Sequence, residues 1–366
     1  MEKIEIQLQI QLQIQRWLSR KTTSESVRQV TGLPIALSSD TGLIRSENQD
    51  RLVLLRAQVT NDKSFIVGVL CDGMGGMVDG EGCAELAVSF FIASCIANRQ
   101  MGLKERLLNA ANSANSAIYE KYHGDGGATL SAFIMDNDKQ IEVVNVGDSR
   151  IYLETDKGFE QITTDDTIAG QLKNNSYISE VSGLLQYIGI GPSLEPHFIE
   201  LPPIDSISKL LMTSDGAHYI AHETLRRLVQ PSLPASKIIK RLTNVAKWCG
   251  GHDNASALLI TDLHSLFSKH EEVHTGTVEI WDPFGDVQFV GIEKSLHKKP
   301  TIISNASVGD ASGMGLPAIS PAKPLLDNKN NSKNANSSTV DVKKKRRSNK
   351  NETTSEKLNL RIDFDE

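Results

Sequence analysis

The sequence predicts an α+β fold in which antiparallel sheets carry helices on their outer faces. Short β-type segments mostly occur as chain neighbours joined by short turns, whereas the long helical segments fall into two separate blocks. This order differs from the repeating βαβ pattern of a parallel sheet. The 366 residues suffice for one large domain or two ordinary ones.

Each element is predicted from its own residue pattern. Alternating or continuous apolar runs predict the strands, and apolar side chains at helical spacing, such as Leu86, Phe90 and Phe91, predict the helices. The predicted strands are 51–57, 64–71, 129–135, 141–146, 150–154, 209–213 and 255–261. The predicted helices are 82–97, 103–122, 223–230 and 235–249. The stretch 163–203 is expected to be an irregular excursion over the sheet.

The two ends of the chain differ from the compact part at 35–263. Residues 1–34 form an N-terminal extension, in which 4–14 alternate apolar and polar side chains and predict a strand. That strand could pair with a sheet edge or reach out to a partner chain. Residues 264–299 are predicted to be a linker, with one possible hairpin at 277–290.

Residues 300–366 have the composition of a disordered tail. The basic run 343–347 is consistent with nucleic-acid binding or with a solvated spacer, and the absence of interleaved aromatic residues favours the spacer. The segment 358–364 alternates apolar and polar residues. It could add a strand to a partner protein or be a solvated end.

Composition argues against several classes of protein. The net charge of −6 gives no reason to expect binding to nucleic acid or to a membrane surface. The four cysteines form no CxxC pair, which argues against a zinc site, and no run approaches the ~20 apolar residues of a membrane helix. The N-terminus lacks the apolar core of a signal peptide, so we expect a cytoplasmic protein.

Four aspartates stand at the ends of apolar strands, beside glycine or another small residue. They are Asp72 in CDGMGG, Asp148 in NVGDSR, Asp215 in TSDG and Asp253 in GGHDN. Each motif alone indicates only a turn. Together they would meet at one end of a sheet sandwich, where a cation must offset their repulsion. Oxygen ligands alone favour Mg²⁺ or Mn²⁺ over zinc or copper.

The ordered motifs Arg45-x-x-Asn48-Gln49-Asp50, DGMGG, GGATL, NVGDSR, SDG and GHDN resemble the metal-dependent protein phosphatases of type 2C, in particular their bacterial branch. The resemblance covers residues 35–263. It implies a four-layer α-β-β-α sandwich, with two central antiparallel sheets flanked by helices.

The same resemblance implies metal-binding roles for matching residues. Asp72 would bridge two ions, and the Gly73 carbonyl would bind one of them. The second ion's ligands would be completed by Asp215 and Asp253. Asp148 would contribute to a third, weaker site.

Other matching residues would hold water, substrate or neighbouring groups. Asp50 would hold metal-bound water. Arg45 would bind the substrate phosphate, because its guanidinium offers two parallel donors. Asn254 and Ser149 would orient neighbouring ligands and turns.

The implied activity is hydrolysis of phosphoserine and phosphothreonine on proteins. Water activated by two or three Mn²⁺ or Mg²⁺ ions would attack phosphorus directly, without a phosphoenzyme. The implied partners are phosphorylated proteins and a cognate serine/threonine kinase of a bacterium. No membrane or nucleic-acid partner is implied.

The sequence departs from the family pattern in three places, and two of them favour an alternative, a weakly active or inactive module that binds a phosphorylated partner. Met77 stands where bacterial relatives usually carry histidine. Ala128-Thr129 replaces a threonine pair, a change that is expected to affect packing alone. The usual flap motif His-Pro-x-Arg-Asn is replaced by residues 184–196 (LLQYIGIGPSLEP). All the acidic residues are nevertheless kept, which favours catalysis.

Overall fold

Two sheets, each covered by helices, form the centre of the protein. In the computed structural model, residues 2–60, 63–171, 183–267, 276–290 and 358–361 are described. The helices are α1 (Glu2–Leu18), α2 (Gly80–Ala97), α3 (Leu103–Tyr122), α4 (Ile168–Gln171), α5 (Asp215–His218), α6 (His222–Val229) and α7 (Ala235–Trp248).

The strands of the described residues fall into two groups. The first sheet has the order β1-β2-β11-β10-β7-β8 and the second the order β14-β13-β12-β3-β4-β5-β6-β9. Their bounds are β1 (Glu25–Gln29), β2 (Ile35–Asp40), β3 (Asp50–Thr60), β4 (Lys63–Asp72), β5 (Leu130–Asp136), β6 (Ile141–Val146), β7 (Arg150–Thr155), β8 (Gly158–Gln161), β9 (His197–Ile199), β10 (Ile207–Thr213), β11 (Ala255–Ile260), β12 (Thr277–Trp281), β13 (Asp286–Val290) and β14 (Leu358–Arg361).

Strand β3 shows why the predicted layering is correct. Its side chains alternate between two apolar cores: Leu52 and Leu54 lie between the sheets, whereas Val53 and Leu55 pack with the helices α1, α2 and α3. A third core joins α5, α6 and α7 to the outer face of the first sheet. The four-layer α-β-β-α sandwich is therefore confirmed, with every recorded strand pairing antiparallel except that of β13 and β14.

Helix α2 is the central helix of the layer that covers the second sheet. It is the one described helix that is long and apolar enough to cross a membrane, but 78% of it is buried inside the protein. It packs against α1, α3, β3 and β4. Its composition therefore fits a core helix.

The predicted N-terminal strand is wrong, because residues 2–18 form helix α1. Its buried side chains recur every four residues at Ile10, Ile14 and Leu18, which is the spacing of one helix face. The alternating sequence places an apolar residue at each of these positions as well. The helix packs on α2, where the side-chain amide of Gln11 donates to Ser89 Oγ at 3.1 Å.

The predicted linker at 264–299 is also wrong in part, because its hairpin belongs to the second sheet. Strand β12 pairs with β13 and, on its other side, with β3. Asp282 in the turn accepts two hydrogen bonds of 2.7 Å from Arg20 Nη2. The hairpin therefore extends the compact domain beyond residue 263.

Residues 358–361 form β14, parallel to β13 of the same chain. The prediction that this segment pairs with another protein is therefore not supported for these residues. The basic run 343–347, most of the predicted tail and residues 362–366 lie outside the described residues.

Candidate active site

The predicted acidic residues meet where strands of both sheets end. Asp50 begins β3 and Asp72 ends β4, and the two are register partners across that pair of strands. Asp148 lies in the turn from β6 to β7, and Asp215 follows β10 as the first residue of α5. Asp253 lies two residues before the start of β11. The convergence that the sequence predicts is therefore present.

Burial and mutual repulsion make these carboxyl groups hard to ionise. Burial, together with the charges of Asp50 and Asp215, raises the pKa of Asp72 well above its usual range. Burial also raises the pKa of Asp50 to about 7, and that of Asp148 to about 6. The pKa of Asp215 is raised by burial and by the nearby charge of Asp253. Such a cluster needs either protons or cations to neutralise it.

Two carboxylate oxygens of the cluster are buried without a hydrogen-bond partner: Asp50 Oδ1 and Asp215 Oδ1. Buried polar atoms in native proteins usually have a partner, so these two oxygens are available to bind a cation. The surrounding donors are carboxylates and the Gly73 carbonyl, all hard oxygen atoms suited to Mg²⁺ or Mn²⁺. The chemistry of the donor set therefore fits divalent metal ions.

One member of the acidic cluster is paired with an arginine. Among the described residues, no three histidine, cysteine, aspartate or glutamate side chains are grouped so as to hold one ion. Asp253 Oδ2 instead accepts a hydrogen bond of 2.7 Å from Arg45 Nη2. The residue expected to bind phosphate is thus paired with a residue expected to bind metal.

Gly73 occupies a position with no room for a side chain. A Cβ atom there would lie 2.1 Å from the Gly80 carbonyl oxygen and 3.0 Å from that of Gln49. Its N–H donates to the same Gln49 carbonyl at 3.1 Å. The backbone after Asp72 is therefore pressed against the start of α2, which holds the DGMGG turn in place.

Asn254 holds the segment that carries Arg45. Its Oδ1 accepts from the Gln49 N–H at 2.8 Å, and its Nδ2 donates to the carbonyls of Thr41 and Glu47 at 2.9 and 3.0 Å. Ser149 Oγ lies 2.8 Å from Ser131 Oγ in a buried network. The orienting roles expected of Asn254 and Ser149 agree with these contacts.

Sequence reasoning missed two supporting contacts. Ser214 Oγ donates to Asp50 Oδ2 at 2.8 Å, and its position directly before Asp215 in the SDG motif was the available signal. On the other side, His197 Nε2 lies 2.8 Å from Asp166 Oδ1, while Asp166 Oδ2 accepts from the Gly147 N–H at 2.9 Å. This second contact positions the turn of Asp148, and no local sequence pattern indicates it.

Known proteins share both the sequence pattern and the fold. The family model described as protein phosphatase 2C matches residues 45–258, more than half of the chain. The chain belongs to the protein phosphatase 2C family. It is accordingly a protein phosphatase, grouped with bacterial serine/threonine phosphatases, and divalent metal dependence is general for this family.

Two curated relatives illustrate the match. The protein phosphatase PhpP of Streptococcus pneumoniae is 26% identical over 247 residues, which cover 63% of this chain and 97% of the relative. The serine/threonine protein phosphatase PstP of Mycobacterium tuberculosis is 27% identical over 259 residues, 67% of this chain. The match spans 48% of PstP, about half of its length.

Solved structures agree in fold. The Ser-Thr phosphatase MsPP from Mycobacterium smegmatis, in complex with cacodylate, is 27% identical with a TM-score of 0.51, and 62% of this chain covers 97% of it. The catalytic domain of PstP in complex with two manganese ions is 26% identical with a TM-score of 0.50, and 64% of this chain covers 97% of it.

Proposed function

We propose that this phosphatase hydrolyses phosphoserine and phosphothreonine on proteins with two or three Mn²⁺ or Mg²⁺ ions, and that it opposes a serine/threonine kinase in a bacterial cytoplasm. The observation that carries the proposal is the cluster of buried Asp50 with half-buried Asp72, Asp148 and Asp215, which has two unpartnered oxygens and lies beside Arg45. The structure of PstP with two manganese ions supports the choice of metal.

The ions would be held by Asp72, the Gly73 carbonyl, Asp215 and Asp253, with Asp148 and Asp50 as further oxygen donors. When bound, they would activate water for attack on phosphorus and offset the charge of the phosphate. Ser214 orients Asp50 by donating to its Oδ2. The Gly42 and Asn254 contacts keep the Arg45 segment close to Asp253.

Arg45 would exchange partners during substrate binding. Its guanidinium now donates to Asp253 Oδ2, and both side chains are partly exposed, with 42% and 30% of their surfaces accessible. An ion bound by Asp253 would release the guanidinium, which could then donate two parallel hydrogen bonds to phosphate oxygens. Metal and substrate binding would thus be linked through one side chain.

The first test is phosphate release from a phosphothreonine peptide, with Mn²⁺, with EDTA, and by Asp215→Ala in Mn²⁺. We expect activity that requires the metal and falls by roughly a hundredfold or more in the variant, because a ligand is lost. The matched control is Asp138→Ala. Asp138 is an exposed aspartate in the turn before β6, at the end of that strand opposite to Asp148.

The alternative function is a module that binds a phosphorylated partner without hydrolysing it, which the Met77 and flap departures favour. A wild-type protein that binds Mn²⁺ in calorimetry but releases no phosphate from any peptide, or from para-nitrophenyl phosphate, would overturn the catalytic proposal. Phosphopeptide binding by that inert protein would support the alternative.

A further inference from the structure

Three exposed apolar side chains lie on or against the two segments that carry Arg45 and Asp253. Leu43, Ile44 and Tyr219 are 62%, 69% and 72% exposed, and they are three of the four most exposed large apolar side chains among the described residues. Single exposed apolar residues are common on protein surfaces and need no explanation. Three such side chains next to a candidate active site are instead typical of a surface that binds a ligand.

Leu43 and Ile44 belong to the segment that carries Arg45. Ile44 directly precedes Arg45, and the Leu43 N–H donates to the Gly251 carbonyl at 2.8 Å. Gly42 has a φ of +82°, and a Cβ there would lie 2.4 Å from the Asp253 carbonyl oxygen. The backbone under both apolar side chains is therefore held tightly against the GGHDN motif.

Tyr219 reaches the same motif from the other side. It directly follows α5, whose first residue is Asp215, and it lies four positions beyond that aspartate. Its ring packs edge-on against His252, with the centroids 6.1 Å apart and the planes at 80°. His252 directly precedes Asp253, so Tyr219 lies close in the chain to Asp215 and packs against the neighbour of Asp253.

This arrangement suits a ligand that extends beyond the phosphate. The backbone that carries Leu43 and Ile44 is held by Asn254 and by the Gly251 carbonyl, so binding would require little ordering of that backbone. An extended peptide advances about 3.3–3.6 Å per residue. A side chain within about three residues of a phosphate held by Arg45 can therefore reach Leu43 or Ile44.

We propose that Leu43, Ile44 and Tyr219 form an apolar rim that binds bulky apolar side chains next to the phosphorylated residue of the substrate. The preferred substrates are phosphopeptides with leucine, isoleucine, phenylalanine or tyrosine within three positions of the phosphoresidue. This inference rests on the proposed function, because Arg45 must hold the phosphate for the rim to contact its neighbours.

The test compares two phosphothreonine peptides that differ only in flanking leucines or flanking alanines. For the wild type in Mn²⁺ we expect kcat/KM to be about five- to tenfold higher for the leucine peptide, since part of each leucine leaves water. The double variant Leu43→Ala with Ile44→Ala, and Tyr219→Ala separately, should bring that ratio close to one. Leu12→Ala, which alters a leucine of similar exposure on α1, should keep the ratio.

A second measurement separates failure of the rim from failure of catalysis. Fluorescence anisotropy records binding of the same two peptides in Ca²⁺, where no turnover is required. Equal kcat/KM and equal affinity for both peptides would overturn the rim while leaving a working phosphatase. If no peptide and no para-nitrophenyl phosphate is hydrolysed, the proposed function fails, and a binding preference lost in the rim variants would still support the rim.

Discussion

Asn254 contacts three backbone positions of the segment that carries Arg45 through one side chain. Its amide contacts the backbone of Thr41, Glu47 and Gln49, while its own N–H donates to Asp253 Oδ1 at 2.9 Å. Because the amide supplies both an acceptor and two donors, neither aspartate nor leucine can replace all of its contacts. The position of Arg45 relative to Asp253 therefore depends on a residue that carries no charge.

We predict that Asn254→Ala lowers kcat/KM at least about tenfold, mainly through KM, because the Arg45 segment loses its support. The free energy of unfolding should fall by about 1–3 kcal/mol, since three backbone groups lose a partner. Steady-state kinetics and urea denaturation measure the two effects. Asn254→Asp, which keeps only the acceptor, should be intermediate.

The control for Asn254→Ala is Asn98→Ala. Asn98 donates to Ser94 Oγ at the end of α2, outside the acidic cluster. It should lose stability without a selective rise in KM. An unchanged KM in Asn254→Ala would contradict the positioning role.

Helix α1 is the element in which local sequence was most misleading. Strict alternation of apolar residues with glutamine fits a strand, but it also places apolar side chains four residues apart, as a helix requires. Glutamine and leucine are good helix formers. The buried surface of α2 decides between the two structures, because a helix covers it with Ile10, Ile14 and Leu18.

Ile14 and Leu12 distinguish a helix from a strand in solution. Ile14 is fully buried and Leu12 is 54% exposed. Ile14→Ala should lower the free energy of unfolding by about 2–5 kcal/mol through the cavity it leaves. Leu12→Ala should change it by less than about 0.5 kcal/mol. Chemical denaturation measures both, and equal losses would indicate a strand, in which the two side chains share a face.

The molecule extends beyond the part that the family model matches. Helix α1 and strand β1 precede residue 45, and the hairpin β12–β13 follows residue 258. These additions bind one another: Arg20 pairs with Asp282, Arg28 with Asp286, and Ser26 Oγ donates to the Pro283 carbonyl at 2.6 Å. The two ends of the compact domain are thereby joined at the edge of the sandwich.

The acidic cluster should make the stability of the whole protein depend on both pH and metal. The raised pKa values mean that the folded protein holds these protons more tightly than the unfolded chain. That contribution is complete below about pH 4, the ordinary aspartate range, and is lost as pH rises through about 6 to 7. Divalent ions bind the deprotonated carboxylates and therefore act in the opposite direction.

We predict that the melting temperature difference between excess Mn²⁺ and EDTA is larger at pH 8 than at pH 5.5. In EDTA at pH 8 the carboxylates are ionised and repel one another. At pH 5.5 Asp50 and Asp148 are largely protonated, so the repulsion is weaker. Differential scanning fluorimetry in matched ionic strength measures this. Asp148→Asn should reduce the dependence on pH, and an equal difference at both pH values would contradict the prediction.

Much of the fold was predictable because its signals are local. Strands such as β4, with apolar residues on both faces, and turns such as DGMGG are specified by residues next to one another in the chain. The aspartates at strand ends could be named for the same reason. Their convergence followed once the strands were assigned to the two sheets of one sandwich.

The sequence by itself thus determined strands β3 to β7, β10 and β11, the long helices α2, α3, α6 and α7, and the aspartates of the site, whereas β1, β2, β8 and β9 were not predicted. Only the tertiary structure decided that the N-terminal segment is a helix, that the hairpin joins β3, and that Arg45 pairs with Asp253. Arg45 and Asp253 are 208 positions apart, and His197 and Asp166 are 31 apart. Such pairs depend on how distant segments pack together, which no local period or turn motif encodes.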